Sequence, residues 1–169
     1  MDLIEKSLDI IGSTEYVEID GRKIPAKIDT GADSSAIWAS NITMEENGVL
    51  SFSLFGPKSP YYTGERLKTT DYTAKSIRSS IGNVQVRYRI KLPITILGKT
   101  FETTFTLAER SRNRFPILIG RRTISGIFLV DVSRSVTTRR KLAKSSNLDQ
   151  ELHENPFKFH QKYINNKEA

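Results

Sequence analysis

The chain has 169 residues, 37% of them hydrophobic and 27% charged, which is typical of one folded domain rather than a disordered segment. It has no cysteine, which excludes disulfides and thiolate metal sites, and no apolar run approaches the ~20 residues needed to cross a bilayer. The first residues include neither a basic segment nor a long apolar run. We therefore expect no signal peptide, no membrane partner and a cytoplasmic location.

The formal net charge of +7 is compatible with nucleic acid, a membrane surface or an acidic protein as partner. Much of the excess lies in residues 110–122, which contain five arginines and no acidic residue. A second basic stretch follows at residues 134–144. No RNA-binding or helix-turn-helix signature accompanies these arginines and lysines, so we expect no nucleic-acid partner.

The first half of the chain reads mostly as short strands separated by turn residues. Residues 15–19 and 23–28 flank an Asp-Gly pair and predict a β-hairpin. Residues 48–55 alternate apolar and small polar side chains, which predicts another strand. Glycines and prolines at residues 56–64 predict a loop, and the wider segment of residues 56–73 is either a lid or a plain surface loop.

The second half continues this pattern. A second hairpin is predicted around a Gly-Asn pair, between residues 74–81 and 84–97. Strands are also predicted from two apolar patterns, at residues 100–107 and 127–132. Between them, an apolar run ends at a glycine and leads into a short helix at residues 121–124. Closely spaced short strands of this kind are typical of a small β-barrel or sandwich.

Composition changes after Ser133. Residues 134–169 are basic and then polar, with few branched apolar side chains, so we expect an appendage to a domain of residues 1–133. Within it, residues 147–164 predict a helix that Pro156 interrupts.

The predicted core consists of large apolar residues from these strands. Its members are Ile28, Ile37, Trp38, Leu54, Ile94, Ile96, Phe105, Leu107, Leu118, Ile119 and Leu129.

Residues 28–32, Ile-Asp-Thr-Gly-Ala, carry the chemistry that points to a function. Aspartic proteases present a catalytic carboxylate at the end of a strand, where a glycine turn holds it in one orientation. Hydrolysis needs two such carboxylates, one acting as general base on water and the other protonating the carbonyl oxygen. The chain has one motif, so we expect Asp29 to meet its own copy on the axis of a homodimer. Taken alone, the motif also fits an ordinary turn aspartate.

The order of these motifs over roughly residues 14–132 resembles the retropepsins, the dimeric aspartic proteases of retroviruses and their cellular relatives. The resemblance implies an all-β fold, a closed acid-protease β-barrel with one short helix and a C-terminal appendage. It implies that Asp29, Thr30 and Gly31 form the catalytic turn, with Thr30 reaching across the dimer axis.

The resemblance also implies a flap formed by residues 74–89, which would cover the substrate. The implied substrate-binding residues are Ala32, Asp33, Arg78, Ser79, Ser80, Ile81 and Gly82. Structural support behind the catalytic turn is implied for Ile119, Gly120 and Arg121. In this family pattern Arg121 pairs with Asp33.

A closer resemblance is to the bacterial RimK-associated proteins, often called ATP-dependent zinc proteases. It is carried by four segments, at residues 27–32, 51–57, 77–82 and 114–122. The sequence contains no His-Glu-x-x-His and no Gly-x-x-x-x-Gly-Lys-Ser/Thr. Its two histidines, His153 and His160, lie in the polar tail. We predict neither a metal nor a cofactor.

These observations predict an aspartic endopeptidase that acts as a homodimer on peptide or protein substrates. Cationic residues at the start of the flap and in the arginine-rich bend favour acidic peptides. RimK is similar to ligases that append glutamate to protein ends, which suggests glutamylated peptides. Two alternatives stay open: a retropepsin-fold binding module, weakly active or inactive, for an acidic or ribosomal partner, and a basic RNA- or ribosome-associated factor.

Overall fold

The computed structural model describes residues 7–78, 84–137 and 147–163, with only the backbone described at Arg78. The chain divides into two compact units, residues 1–137 and 138–169. Within the described residues, the first unit is built from strands and one short helix, and the second from two helices.

The strands and helices lie in chain order as follows. They are β1 (Asp9–Gly12), β2 (Thr14–Ile19), β3 (Arg22–Asp29), β4 (Ser35–Met44), β5 (Leu50–Leu54), β6 (Leu67–Thr69), β7 (Tyr72–Arg78), β8 (Val84–Ile96), β9 (Lys99–Ala108), β10 (Ile117–Gly120), α1 (Arg121–Ile124), β11 (Phe128–Asp131), α2 (Leu148–Glu154) and α3 (Pro156–Tyr163).

The predicted all-β, closed barrel is confirmed. Six strands form a ring in the order β10-β3-β2-β8-β9-β4, and β10 closes it by pairing with both β3 and β4. The pairing of β10 is parallel to β3 and antiparallel to β4. Strands β5 and β6 extend the sheet from β4, and β7 pairs with β8 as the predicted second hairpin. The tip of that hairpin lies outside the described residues.

Turn chemistry explains two of the hairpins. Between β2 and β3, Asp20 and Gly21 both have positive φ, at 49° and 72°. Between β8 and β9, Leu97 and Gly98 also have positive φ, at 47° and 75°. Two consecutive residues with positive φ match the right-handed twist of the flanking strands, which is why Asp-Gly is a strong hairpin signal. Leucine rarely adopts this conformation, so the second turn is harder to predict from sequence.

Most of the predicted core is confirmed. The buried members are Ile28, Ile37, Trp38, Leu54, Ile94, Ile96, Phe105, Leu107 and Ile119. Leu118 is half-buried, because side chains alternate along β10 and its neighbours Ile117 and Ile119 take the inward positions. The prediction for Leu129 is wrong: this residue is 55% exposed. Side chains alternate along β11, so Phe128 takes the buried position and Leu129 faces away from the core.

The segment of residues 56–73, predicted as a lid or a surface loop, is tied to the barrel. It contributes the short strand β6, which the sequence did not predict. Tyr61 packs against Phe55 with ring centroids 5.9 Å apart, and Arg22 Nη1 donates a 2.7 Å hydrogen bond to the Tyr61 carbonyl oxygen.

The first unit ends at Thr137, a few residues beyond the change in composition. The reason is a set of contacts made where β2 begins. The Ser13 N–H donates to the Arg134 carbonyl oxygen at 2.8 Å, and the hydroxyls of Thr14 and Ser135 are 2.7 Å apart.

The second unit contains α2 and α3, and the predicted break at Pro156 is confirmed. Proline suits the first position of a helix, where its missing N–H is not needed. Asn155, immediately before it, accepts a 2.9 Å hydrogen bond from the Lys158 N–H. The two helices are linked by Glu151, which accepts hydrogen bonds from Lys162 and from the Tyr163 hydroxyl.

Candidate active site

Asp29 stands at the end of β3, where the closure of the barrel fixes the backbone. Gly120, at the end of β10, lies opposite Asp29 in the parallel pairing of these strands. Since β10 also pairs with β4, the strand before the motif and the strand after it are held by one central strand. Ile28 and Ile119 are paired and buried directly beneath this point.

The catalytic-type turn is held by its own hydrogen bonds. The Ala32 N–H donates to the Asp29 carbonyl oxygen at 3.1 Å, and the Gly31 N–H donates to Asp29 Oδ1 at 3.1 Å. The Asp29 side chain remains 28% exposed. One carboxylate oxygen is thus fixed by the backbone, and the group keeps access to solvent.

Lys27 is also near this carboxylate, with its Nζ 3.6 Å from Asp29 Oδ2. The lysine side chain is 53% exposed, so this pair contributes little to stability and is screened by salt.

Behind the turn, the junction of β10 and α1 packs against residues 32–34, the arm that leaves the turn. A Cβ added at Gly120 would lie 2.6 Å from the Ser34 carbonyl carbon and 2.9 Å from the Ala32 carbonyl oxygen. This close approach explains why glycine ends β10. The Arg121 N–H donates to the Ala32 carbonyl oxygen at 2.8 Å, so the first residue of α1 supports the turn through its backbone.

Two hydroxyl residues that the sequence analysis missed complete this support. Ser35 Oγ accepts a 3.0 Å hydrogen bond from the Gly120 N–H and lies 2.7 Å from Thr123 Oγ1. Ser35 is buried, so its hydroxyl links the turn to α1 inside the protein. Neither residue stands out in the sequence, because serine and threonine are common and these two are 88 positions apart.

The ion pair implied between Arg121 and Asp33 is present in the structure. Both side chains are about half exposed, at 58% and 47%. The Arg122 N–H also donates to the Asp33 carbonyl oxygen at 3.2 Å, so Asp33 is held from both its side chain and its backbone.

Thr30 is exposed, and its hydroxyl has no hydrogen-bond partner among the residues that the structure describes. The flap residues Ser79, Ser80, Ile81 and Gly82, together with the Arg78 side chain, lie outside the described residues, and their predicted contacts with substrate stay predictions.

A second positive charge, that of Arg110, acts on the Asp29 carboxylate in addition to Lys27. Burial lowers the pKa of Arg110, the nearby charge of Arg87 lowers it further, and Asp29 opposes both effects. Arg110 Nε is fixed by a 3.2 Å hydrogen bond to the Phe115 carbonyl oxygen. A partly desolvated guanidinium is thus held close enough to Asp29 to interact with it, and anions are favoured on this side of the turn.

In the described part of the chain, no group of three or more histidine or acidic side chains lies close enough to hold a metal ion. His153 and His160 are on α2 and α3 in the second unit. Among the same residues, no helix has the length and apolar character that a membrane crossing requires.

The chain is similar to a protein family, to individual protein sequences and to a solved structure. The sequence matches the RimB-like family, described as "Retropepsin-like aspartic endopeptidase RimB", over residues 10–141. It is 32% identical over 132 residues to a probable alpha-L-glutamate ligase of Shewanella halifaxensis, covering 75% of this chain and 29% of that protein. It is 30% identical over 128 residues to a protein of the same name from Desulfotalea psychrophila, covering 72% of this chain and 28% of that protein.

The chain thus spans less than a third of the length of these two relatives. A solved structure of a Legionella pneumophila protein of unknown function aligns with a TM-score of 0.56 and 25% identity, covering 79% of this chain and 100% of the other. The matched region contains the whole barrel and Asp29. On these grounds the chain belongs to the RimB-like family, which is described as a family of retropepsin-like aspartic endopeptidases.

Proposed function

We propose that this protein is an aspartic endopeptidase that acts as a homodimer, each chain supplying one Asp29 to a catalytic pair. The observation that carries the proposal is the Asp29 carboxylate itself. It ends a strand of a closed retropepsin-like barrel, it accepts a hydrogen bond from its own turn, and it stays partly exposed.

In the proposed reaction the two carboxylates share one proton, because two like charges at short distance cannot both ionise without a large energetic cost. The ionised carboxylate takes a proton from a water molecule, whose oxygen attacks the peptide carbonyl carbon. The other carboxyl group donates its proton to the carbonyl oxygen. When the tetrahedral intermediate breaks down, the C–N bond cleaves and the leaving nitrogen takes up a proton from the pair.

The small sheet of β1 and β11 supports a dimer. Ile10 and Leu129 are register partners in this sheet and are 43% and 55% exposed, and Val132 beside it is 71% exposed. The paired exposed side chains of Ile10 and Leu129 fit a surface that a second protein covers. In the proposal that protein is a second copy, because the site contains only half of its carboxylates without one.

We propose acidic peptides, including glutamylated ones, as the substrate class. The support is electrostatic: Arg110 interacts with Asp29, Arg87 lies near Arg110, and the chain carries a net charge of +7. The relatives add a second argument. A region similar to this chain is part of longer proteins called alpha-L-glutamate ligases, and a peptidase joined to such a ligase would meet glutamate-bearing ends.

The test is hydrolysis of an oligo-glutamate peptide and a matched oligo-glutamine peptide by the purified chain, followed by mass spectrometry. We expect cleavage of the acidic peptide by the unaltered chain and none by Asp29→Asn. Equal cleavage of both peptides would overturn the proposed substrate class. Cleavage that survives in Asp29→Asn would overturn the catalytic pair. If the acidic peptide binds tightly but is never cleaved, the chain is a binding module.

A further inference from the structure

A cavity of about 330 Å³ lies beside the catalytic turn. Its lining comes from the arm that leaves the turn, the start of β4, β8, β9, α1 and the residue Ile127 between α1 and β11. Ser34 stands two positions after Ala32 and marks the edge nearest the turn. Lys75 of β7 reaches this edge, with its Nζ 3.5 Å from Ser34 Oγ. The cavity therefore lies where the β7–β8 hairpin meets the arm of the turn.

The cations at this cavity are not neutralised. Arg89, on β8, is half-buried, and its Nε is shielded from solvent without a hydrogen-bond partner among the residues described. Neither the Arg122 guanidinium nor the Lys75 ammonium is paired with a carboxylate among the residues that the structure describes. Arg122 and Lys75 are exposed, whereas the charge of Arg89 is partly buried. Partly buried charge without a partner is unfavourable, and an anion bound at Arg89 would relieve it.

Other lining groups agree with an anionic ligand. Thr103 is 6% exposed, and its Oγ1 has no hydrogen-bond partner within the described part of the chain, so a hydroxyl donor is unused there. Glu102 is the one acidic residue of the lining, and it already faces Lys91, with the two charged groups 3.8 Å apart. The balance of charge at the cavity is positive.

We propose that this cavity is a subsite that binds a carboxylate of the peptide substrate, at a residue removed from the scissile bond. Arg89 supplies the planar fork that fits a carboxylate, and Arg122 adds a second positive charge. Ser34 and Thr103 complete the set with hydroxyl groups. The proposal rests on the proposed peptidase function, and it assigns the acidic preference to one position of the substrate rather than to the general charge of the protein.

A series of peptides tests this assignment. Each peptide carries glutamate at one position and glutamine at the others, and kcat/KM is measured for the unaltered chain, Arg89→Gln and Arg122→Gln. Lys58→Gln is the matched control. Lys58 is exposed in the loop after β5, so this substitution removes one positive charge without changing a residue that lines the cavity.

We expect Arg89→Gln to lower kcat/KM about tenfold or more for the peptide with glutamate at one particular position, through the loss of a charge-assisted hydrogen bond. Arg122→Gln should act on the same position with a smaller effect, and Lys58→Gln should act on none. A uniform loss at every glutamate position, or no loss at any, would overturn the subsite.

Binding separates this inference from the proposed chemistry. The same peptides are titrated by calorimetry into Asp29→Asn and into Asp29→Asn with Arg89→Gln. Position-dependent weakening would support the subsite even if no peptide is ever cleaved. Inorganic phosphate serves as a second probe. If it binds through Arg89 while no peptide shows a preferred glutamate position, the cavity is a site for free anions and the subsite is overturned.

Discussion

The catalytic turn and the small sheet of β1 and β11 differ in how much of their structure one chain completes. At the turn, the carboxylate of Asp29, the carbonyl oxygens behind it and the N–H groups of Gly120 and Arg121 all have partners in the same chain. On the small sheet, Ile10 and Leu129 lie side by side with large exposed fractions. One chain therefore orients the Asp29 carboxylate by itself, while the surface that we propose for bringing in a second carboxylate stays uncovered.

The largest effect is expected at the turn. Asp29→Asn should lower kcat by more than about a thousandfold, since an amide can neither accept the proton of water nor share one with its partner. Peptidase assays measure the loss. Light scattering and thermal unfolding of the same variant should show an unchanged dimer and a similar Tm, and a lost dimer would mean that Asp29 is structural.

Next in size is a change on the small sheet. Leu129→Arg should dissociate the dimer and lower activity by about a hundredfold or more at low protein concentration, because a charge replaces an apolar contact. Sedimentation and activity are measured across protein concentrations. Leu97→Arg is the matched control, since Leu97 is 53% exposed in the turn after β8. If Leu129→Arg and Leu97→Arg behave alike, β11 is not the interface.

The packing behind the turn gives an intermediate effect. Gly120→Ala should reduce the free energy of unfolding by about 1–3 kcal/mol, because the added methyl group overlaps the Ser34 carbonyl group. Denaturant titration measures this loss, and Ser125→Ala, at an exposed position just after α1, is the control. An unchanged midpoint for Gly120→Ala would show that the two segments move apart easily.

A smaller effect is expected for the exposed ion pair beside the turn. Replacing Arg121 by Gln or Asp33 by Asn should cost less than about 1 kcal/mol, because both groups are half exposed and salt screens them. A double-mutant cycle in low and high salt measures the coupling. Coupling well above this value would show that the pair holds the turn as firmly as the Gly120 contact.

The smallest effect is expected in the second unit. Replacing His153 and His160 together by alanine should leave peptidase activity unchanged, and so should treatment with a metal chelator. These histidines are remote in sequence from the catalytic turn, and no metal-binding group is found around them in the described residues. Loss of activity that returns with added zinc would contradict this expectation.

Features that depend on neighbouring residues could be predicted from the sequence, and features that depend on residues far apart in the chain could not. The hairpin at Asp20 and Gly21 was predictable because two adjacent residues determine its geometry. The break at Pro156 was predictable for the same reason. The pairing of Arg121 with Asp33 came only from family resemblance, since neither residue signals the other across 88 positions.

Packing between segments that are distant in the chain could not be predicted from the sequence. Leu129 was assigned to the core because its run is apolar, yet the position that β11 takes against the core buries Phe128 and leaves its neighbour Leu129 exposed. Ser35 and Thr123 were missed because their hydrogen bond exists only after β10 has closed the barrel. The cationic cavity was missed for a similar reason, because residues from widely separated parts of the chain line it.

The sequence by itself determined the strand-rich pattern, the excess of positive charge and the carboxylate on a glycine turn, because each depends on residues close together in the chain. Only the tertiary structure decided which residues support that carboxylate, which apolar side chains remain exposed and where cations gather without carboxylate partners among the described residues. Those features depend on contacts between segments that the chain places far apart and that the closure of the barrel brings together.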